Sequence, residues 1–353
     1  MSLAKTYLQD IRVKFPSNLD SHENRVTQTG LLTAALAMTK SPASIVSADL
    51  LEKAEKSNGL NLDVPVMKKG VVTISNVRSC TISGGRSETD LVRITFKTVR
   101  ADILLVPSEY EKNQVKYLQD LAKHLREIAE AFKVEIETDL DTALDAAKSQ
   151  VYGSAIVGTT YAFTGGAIQV PESRQKRFFN DLQAINFADD FYEPRSKVIS
   201  SHTIMPTVSW YINQGKDNAE NTSFQFADKD FTFSNRVDVD GDAFGTGYWM
   251  PDGSLGFITR IDPDARLAHK AGDGTEWMED TIPGLPFPVG IMFKSKCDDK
   301  SALEEAGLAH LTATLVNQWQ ISFDYAIVTP YNSDNTTKPS PIRKFEFVAD
   351  ETP

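Results

Sequence analysis

The sequence predicts an α+β fold, and three observations lead to that class. Residues 71–82 (VVTISNVRSCTI) and 91–106 (LVRITFKTVRADILLV) are two long β-prone runs, with the polar turn Ser83-Gly84-Gly85 between them. Residues 108–152 contain neither Gly nor Pro, so one very long helix is expected directly after the second run. From Gly153 onward short apolar runs alternate with turn-rich polar segments, as in a mixed sheet region.

Residues 1–60 read as an extended arm with helical pieces. They include an apolar segment at 30–38 (GLLTAALAM) and a short helix at about 48–57, with Ser47 as its cap and Asn58-Gly59 as its stop. The apolar segment is too short for a membrane span and starts well inside the chain, so a buried helix is expected there. In the strand pair, Val72, Ile74, Cys80 and Ile82 share one parity. So do Val92, Ile94 and Phe96, with Arg93, Thr95 and Lys97 between them, which suits strands with one wet face. Strands of this length would reach roughly 40–50 Å, and an isolated ribbon is marginal in water, so a projecting one needs surface on another subunit.

Ser108 and Glu111 fit a capping box behind Pro107. Leu118, Leu121, Leu125, Ile128, Phe132, Ile136, Leu140, Leu144 and Val151 form the apolar stripe of the helix, about 60 Å long if continuous, with a kink or break expected at 134–138 (VEIET). A second amphipathic helix is expected at about 171–191. Strand-like runs follow at 202–212, 223–233, 257–261 and 288–294, then a short helix at 301–311 and strands at 312–329 and 343–348.

Composition fits a globular chain, with 41% apolar and 24% charged residues. The net charge of −11 disfavours a protein that wraps nucleic acid. It is unevenly spread. Residues 62–101 hold seven bases (Lys68, Lys69, Arg78, Arg86, Arg93, Lys97, Arg100) against three acids (Asp63, Glu88, Asp90), so a +4 arm sits on a −15 remainder. Such an arm would suit charge-steered subunit contacts, or simply protect a strand edge. Cys80 and Cys297 make no disulfide framework and no metal-ligand spacing, which fits synthesis in a reducing cytoplasm.

No catalytic, cofactor-binding or metal-binding residue set emerges. His22, His124, His202, His269 and His310 are scattered, and no phosphate-binding or dinucleotide glycine motif is present. Gly253-Ser254-Leu255-Gly256 falls short of a nucleophile elbow because Asp252 stands where that motif needs Gly. Asp238, Asp240 and Asp242 alternate around Gly241, but an EF-hand wants Gly and Glu where Ala243 and Trp249 stand, so a hydrated turn is expected ahead of a looser cation site. Asp262 and Asp264 around Pro263 also read as a turn. Tyr248, Trp249 and Trp277 are either packing residues or the lining of a sugar groove.

The order of parts (arm, long basic hairpin, long helix, mixed α/β region, closing strands) resembles the major capsid proteins of tailed bacteriophages, the Hong Kong 97-type capsid fold that encapsulin shells share. The closing stretch 323–334 (FDYAIVTPYNSD) followed by 339–348 resembles the end of some of these capsid proteins. The resemblance implies an N-terminal arm at 1–60 and an extended loop at 61–100 with its hairpin at 71–99. It implies a peripheral domain at 101–152 with the spine helix, and a mixed α/β axial domain at 153–300 with an insertion at 213–279. The segment 301–353 would close onto the sheets. It further implies a non-enzymatic virion protein that assembles with itself into hexamers and pentamers of an icosahedral shell around double-stranded DNA. A separate scaffolding protein, a portal and decoration proteins are the implied partners, with no cofactor and no membrane. Some relatives crosslink through a Lys near the extended loop; Lys68 and Lys69 lie there, but no partner Asn or promoting acid stands out. The alternatives are an encapsulin-type compartment shell and, from a different class, a β-rich carbohydrate-binding or adhesin protein built on Tyr248, Trp249 and Trp277.

Overall fold

The computed structural model describes residues 3–14, 30–67, 89–110, 113–191, 195–213, 223–226, 229–239, 241–298, 314–332 and 337–350. In chain order the elements are α1 (Leu3–Lys14), α2 (Gly30–Thr39), α3 (Ala48–Lys56), β1 (Asn61–Met67), β2 (Thr89–Thr95), β3 (Lys97–Leu105), a 3-10 turn (Pro107–Tyr110) and α4 (Gln114–Ala147). Then come α5 (Ile156–Thr159, one distorted turn), β4 (Ala162–Thr164), β5 (Ala167–Pro171), α6 (Gln175–Ala188), β6 (Ser196–Ser201), α7 (Met205–Asn213), β7 (Ser223–Phe226), β8 (Lys229–Ser234), β9 (Gly245–Pro251) and β10 (Gly256–Arg260). The last are α8 (Pro263–Arg266), β11 (Thr275–Asp280), β12 (Val289–Asp298), β13 (Thr314–Val328) and β14 (Arg343–Val348).

The long helix α4 is unbroken over 34 residues, about 50 Å. Its stripe is buried at Leu118, Leu121, Leu125, Phe132, Ile136, Leu140 and Leu144, against the inner face of a five-stranded sheet. In that sheet β13 is the organiser: β3 lies on one side of it, and β12 and β10 share the other. Odd-numbered residues of β13 (Trp319, Ile321, Phe323, Tyr325) point at the helix, as period-two alternation requires. A seven-stranded sheet, ordered β4-β5-β14-β9-β6-β8-β7, forms the other half. Both of its faces are covered. Ile199, Tyr248 and Met250 join the core around α4, whereas Val198, Trp249, Phe345 and Phe347 join a second core under α6 and α7. Gly247 makes room in this sheet, since a Cβ there would lie 2.5 Å from the ring of Phe345.

Several expectations change on meeting the structure. The run 91–106 is two strands, interrupted at Phe96: β2 pairs with β1 and β3 pairs with β13. Its expected partner, 71–82, lies outside the described residues, as does the helix expected at 301–311. The helix start is moved too. Asn113 caps α4 by accepting from the amides of Val115 and Lys116, so the Ser108 box does not open the helix. No kink occurs at 134–138: α4 runs straight through it, with Ile136 and Glu137 both buried. Residues 202–212 form a 3-10 turn and α7 instead of a strand: Pro206 is tolerated in a first helical turn, and Ile204 and Val208 bury one helical face at i, i+4 spacing. Asp262-Pro263-Asp264 opens the short helix α8, with Asp262 as its cap. The helix read at 171–191 begins later, at Gln175, because residues up to Pro171 pair as β5 with β14.

Candidate functional site

The part of the fold that does not close on itself is the β1–β2 ribbon. Among the described residues the two strands pair only with each other, in the register Asn61↔Thr95 to Met67↔Thr89. That register sorts the side chains. Asn61, Asp63, Pro65, Leu91, Arg93 and Thr95 are exposed on one face, and Leu91 keeps 68% of its surface. The other face carries Leu62 opposite Ile94, Val64 opposite Val92 and Val66 opposite Asp90. Its cover thins with distance from the body: Ile94 is buried, whereas Leu62, Val64, Val66 and Val92 are half-buried. Pro65 leaves β1 one backbone donor short, a usual guard against unwanted strand pairing.

The root of the ribbon is fixed by a small core of its own: Val46, Leu50, Ala54, Ile94, Phe96, Ile258 and Ala326. Arg260, buried on β10, ties this root together. Its Nε donates to Asp324 at 2.8 Å, and its Nη1 donates to the carbonyls of Ser57 (2.9 Å) and Gly59 (2.7 Å). Its guanidinium lies 4.1 Å from the centre of the Phe96 ring. The Phe96 amide donates to the Leu60 carbonyl, so the two legs of the ribbon leave the body side by side. Lys97, the next residue, reaches back to Glu135 (2.6 Å) and Asp139 (2.7 Å) on α4. Burial opposes its charge, but those two bonds outweigh burial and hold its ammonium above the usual range. On the exposed face, the bond from Arg93 holds the Asp63 carboxyl below the usual range.

Two further polar joints fix the body that carries the ribbon. Glu137 of α4 is fully buried and accepts from the amides of Leu31 (3.2 Å) and Leu32 (2.7 Å) and from the Ser234 hydroxyl (2.9 Å). It sits at the N-terminus of α2, where burial raises its pKa against the opposing pull of the bonds from Leu32, Ser234 and Leu31. Gly30 is needed at this joint, because a Cβ there would meet the Phe233 carbonyl at 2.2 Å. Arg343 of β14, also fully buried, donates to Asp189 (2.6 Å) and to Ser149 Oγ (3.2 Å), and faces the rings of Tyr152 and Phe191. It joins the end of α4, the end of α6 and the centre of the seven-stranded sheet.

The residues singled out for chemistry do not converge. Tyr248 and Trp249 point to opposite faces of β9 and are buried in different cores, and Trp277 lies on β11 of the other sheet, so no aromatic groove forms. Asp238 and Asp242 are described and Asp240 is not; among the described residues no cluster of potential metal ligands is present. His124 is a half-buried helix residue near Asp120 and Glu127, His202 and His269 are exposed, and His22 and His310 lie outside the described residues. Cys297 is exposed; Cys80, Lys68 and Lys69 lie outside the described residues. No helix among the described residues is long and apolar enough to cross a membrane. Arg260, Glu137 and Arg343 were not marked by any sequence signal, since each is a lone charge whose partners are distant in the chain.

No family model and no curated protein matches the sequence. Among solved structures, the chain is similar to one from Mycobacterium phage Che8 over 94% of its own length and 97% of that chain, at 9% identity and a TM-score of 0.51. The chain has the fold of that Mycobacterium phage Che8 structure. Two structures match at lower scores: one titled an asymmetric unit of the bacteriophage PhiM1 mature capsid (TM-score 0.48, 10% identity, 85% of each chain) and a capsid structure of the cyanophage P-SCSP1u (0.46, 10%, 84% and 85%). At 9% identity no individual residue role transfers from the Che8 structure.

Proposed function

We propose that this chain is a major capsid protein, a structural subunit that self-assembles into hexamers and pentamers of an icosahedral shell around double-stranded DNA. The observation that supports this most directly is the β1–β2 ribbon, whose apolar face is half-covered by its own chain while its root is clamped. A two-stranded ribbon is marginally stable alone, so surface from a neighbouring copy is the natural cover for Val66 and Val92. The likeness in fold to the Mycobacterium phage Che8 structure supports the same reading. In this scheme residues 1–60 act as the arm, 61–100 as the extended loop and 101–152 as the peripheral domain built on α4. Residues 153–300 act as the axial domain and 301–353 as the closing segment. The chain is a virion component without catalytic duty, and its further partners are a separate scaffolding protein, a portal, decoration proteins and packaged DNA on the inner face.

Met67 and Thr89 are directly paired, so residues 68–88 can be replaced by a two-residue Gly-Ser turn of the type that closes hairpins. The full chain, alone or with a scaffolding protein, is expected to give uniform shells or capsomer rings under negative stain. The shortened chain is expected to keep its circular dichroism and cooperative unfolding but to form no closed particle. Normal shells from the shortened chain would remove the ribbon from the mechanism. A full chain that stays monomeric under all these conditions would remove the capsid reading itself.

A further inference from the structure

The sequence contains one Asn-Gly step, Asn58-Gly59, and the fold places it at the root of the ribbon, between the end of α3 and the start of β1. Both residues are exposed and lie outside any helix or strand. The carbonyls on either side of the reacting bond, those of Ser57 and Gly59, are the two that Arg260 grips. We infer that Asn58 is a site of spontaneous covalent modification, and that the Arg260 clamp sets its rate.

The chemistry needs only the chain and water. The backbone nitrogen of Gly59 attacks Cγ of Asn58, the new N–Cγ bond closes a five-membered succinimide, and the side-chain nitrogen leaves as ammonia with the proton from the Gly59 amide. Water then adds to either ring carbonyl. One opening yields Asp at position 58, and the other yields isoaspartate, with an extra methylene in the main chain. No electrons are transferred. Glycine at the second position leaves the attacking nitrogen unshielded and the backbone free to rotate. Closing the ring requires that rotation, and a guanidinium bonded to both flanking carbonyls opposes it. The clamp therefore slows the reaction, while the exposure of both residues keeps it possible.

The product changes the structure at the root of the ribbon. Isoaspartate lengthens the main chain between two carbonyls spaced to fit one guanidinium nitrogen, so Arg260 can no longer hold both. The new carboxylate also offers Arg260 a competitor to Asp324. Loosening of the ribbon root follows, and with it a slow change in how firmly the arm engages a neighbour. That last consequence rests on the capsid reading; the modification itself does not.

Purified full-length chain would be incubated at mildly alkaline pH and sampled by peptide mapping with mass spectrometry and by enzymatic methylation of isoaspartate. Asn58 is expected to convert ahead of every other asparagine, to a mixture of Asp and isoaspartate. Arg260→Gln is expected to convert severalfold faster, and Gly59→Ala severalfold slower. Urea-unfolded wild-type chain serves as a second clamp-free reference, should Arg260→Gln fail to fold. An Asn58 that stays intact while other asparagines convert would overturn the site. Equal rates in the folded and unfolded wild-type chain would overturn the role of the clamp. Neither readout uses particle formation, so failure here and failure of the capsid reading are distinguishable.

Discussion

Single buried charges decide how this chain is held together, and the sequence marks them poorly. Asp141 on α4 is an example. It accepts the Asp238 amide at 3.3 Å through one oxygen, while its other oxygen is buried without a partner. Burial pushes its pKa up to about 6; the Asp238 amide and Lys344 pull the other way, and the charges of Asp145 and Asp238 add to the rise. Between its usual value and about 6 the folded chain binds a proton that the unfolded chain has released, so stability falls as pH climbs through that window. Asp141→Asn keeps an acceptor for the Asp238 amide and removes the charge. It is expected to raise stability at about pH 7.5 by roughly 1–2 kcal/mol and to lose that gain by about pH 4. Thermal unfolding of both proteins across that range checks this, and a gain that persists undiminished in acid would refute the electrostatic cause. The carboxylates that drew notice in the sequence, Asp238, Asp240 and Asp242, alternate visibly along the chain. Asp141 did not, because its environment comes from a loop 97 residues away.

At the scale of elements, periodicity was a good guide wherever one element met one surface. The stripe of α4, the α2 segment and the Ser47-capped α3 were all legible for that reason. It misled where an element served two masters. The run 91–106 is uniformly strand-like, yet it supplies the ribbon before Phe96 and the five-stranded sheet after it. Only the distant Arg260 and β13 make that division. The 134–138 stretch of α4 looked weak because VEIET mixes β-branched and acidic residues. In the fold its Glu137 is the point at which α2 is fastened. Glu137→Leu would strand two amides and a hydroxyl in the core, and is expected to cost about 3 kcal/mol. Glu137→Gln, which keeps one acceptor oxygen, should lose clearly less. Denaturant titration orders the two variants, and equal losses would mean that shape, not hydrogen bonding, makes this joint.

For the whole molecule the uneven charge is the remaining determinant, and the structure narrows where it can act. Of the seven bases in 62–101, Arg93 is already paired with Asp63, Lys97 with Glu135 and Asp139, and Arg100 lies 3.7 Å from Asp102. These three are spent within the subunit. Lys68, Lys69, Arg78 and Arg86 lie outside the described residues, and they are the bases to test for attraction toward an acidic neighbour, on a chain whose net charge is −11. If they steer association, assembly of the full chain should slow as salt rises from about 0.05 to 0.5 M and the screening length shrinks below ~10 Å. Replacing all four with Gln should slow assembly at low salt and flatten the salt dependence, while thermal stability of the isolated subunit stays within about 0.5 kcal/mol of wild type. Light scattering during assembly reads both rates. An unchanged salt slope in the four-fold variant would assign steering to other charges and leave the half-covered apolar face of the ribbon as the main source of attraction between subunits.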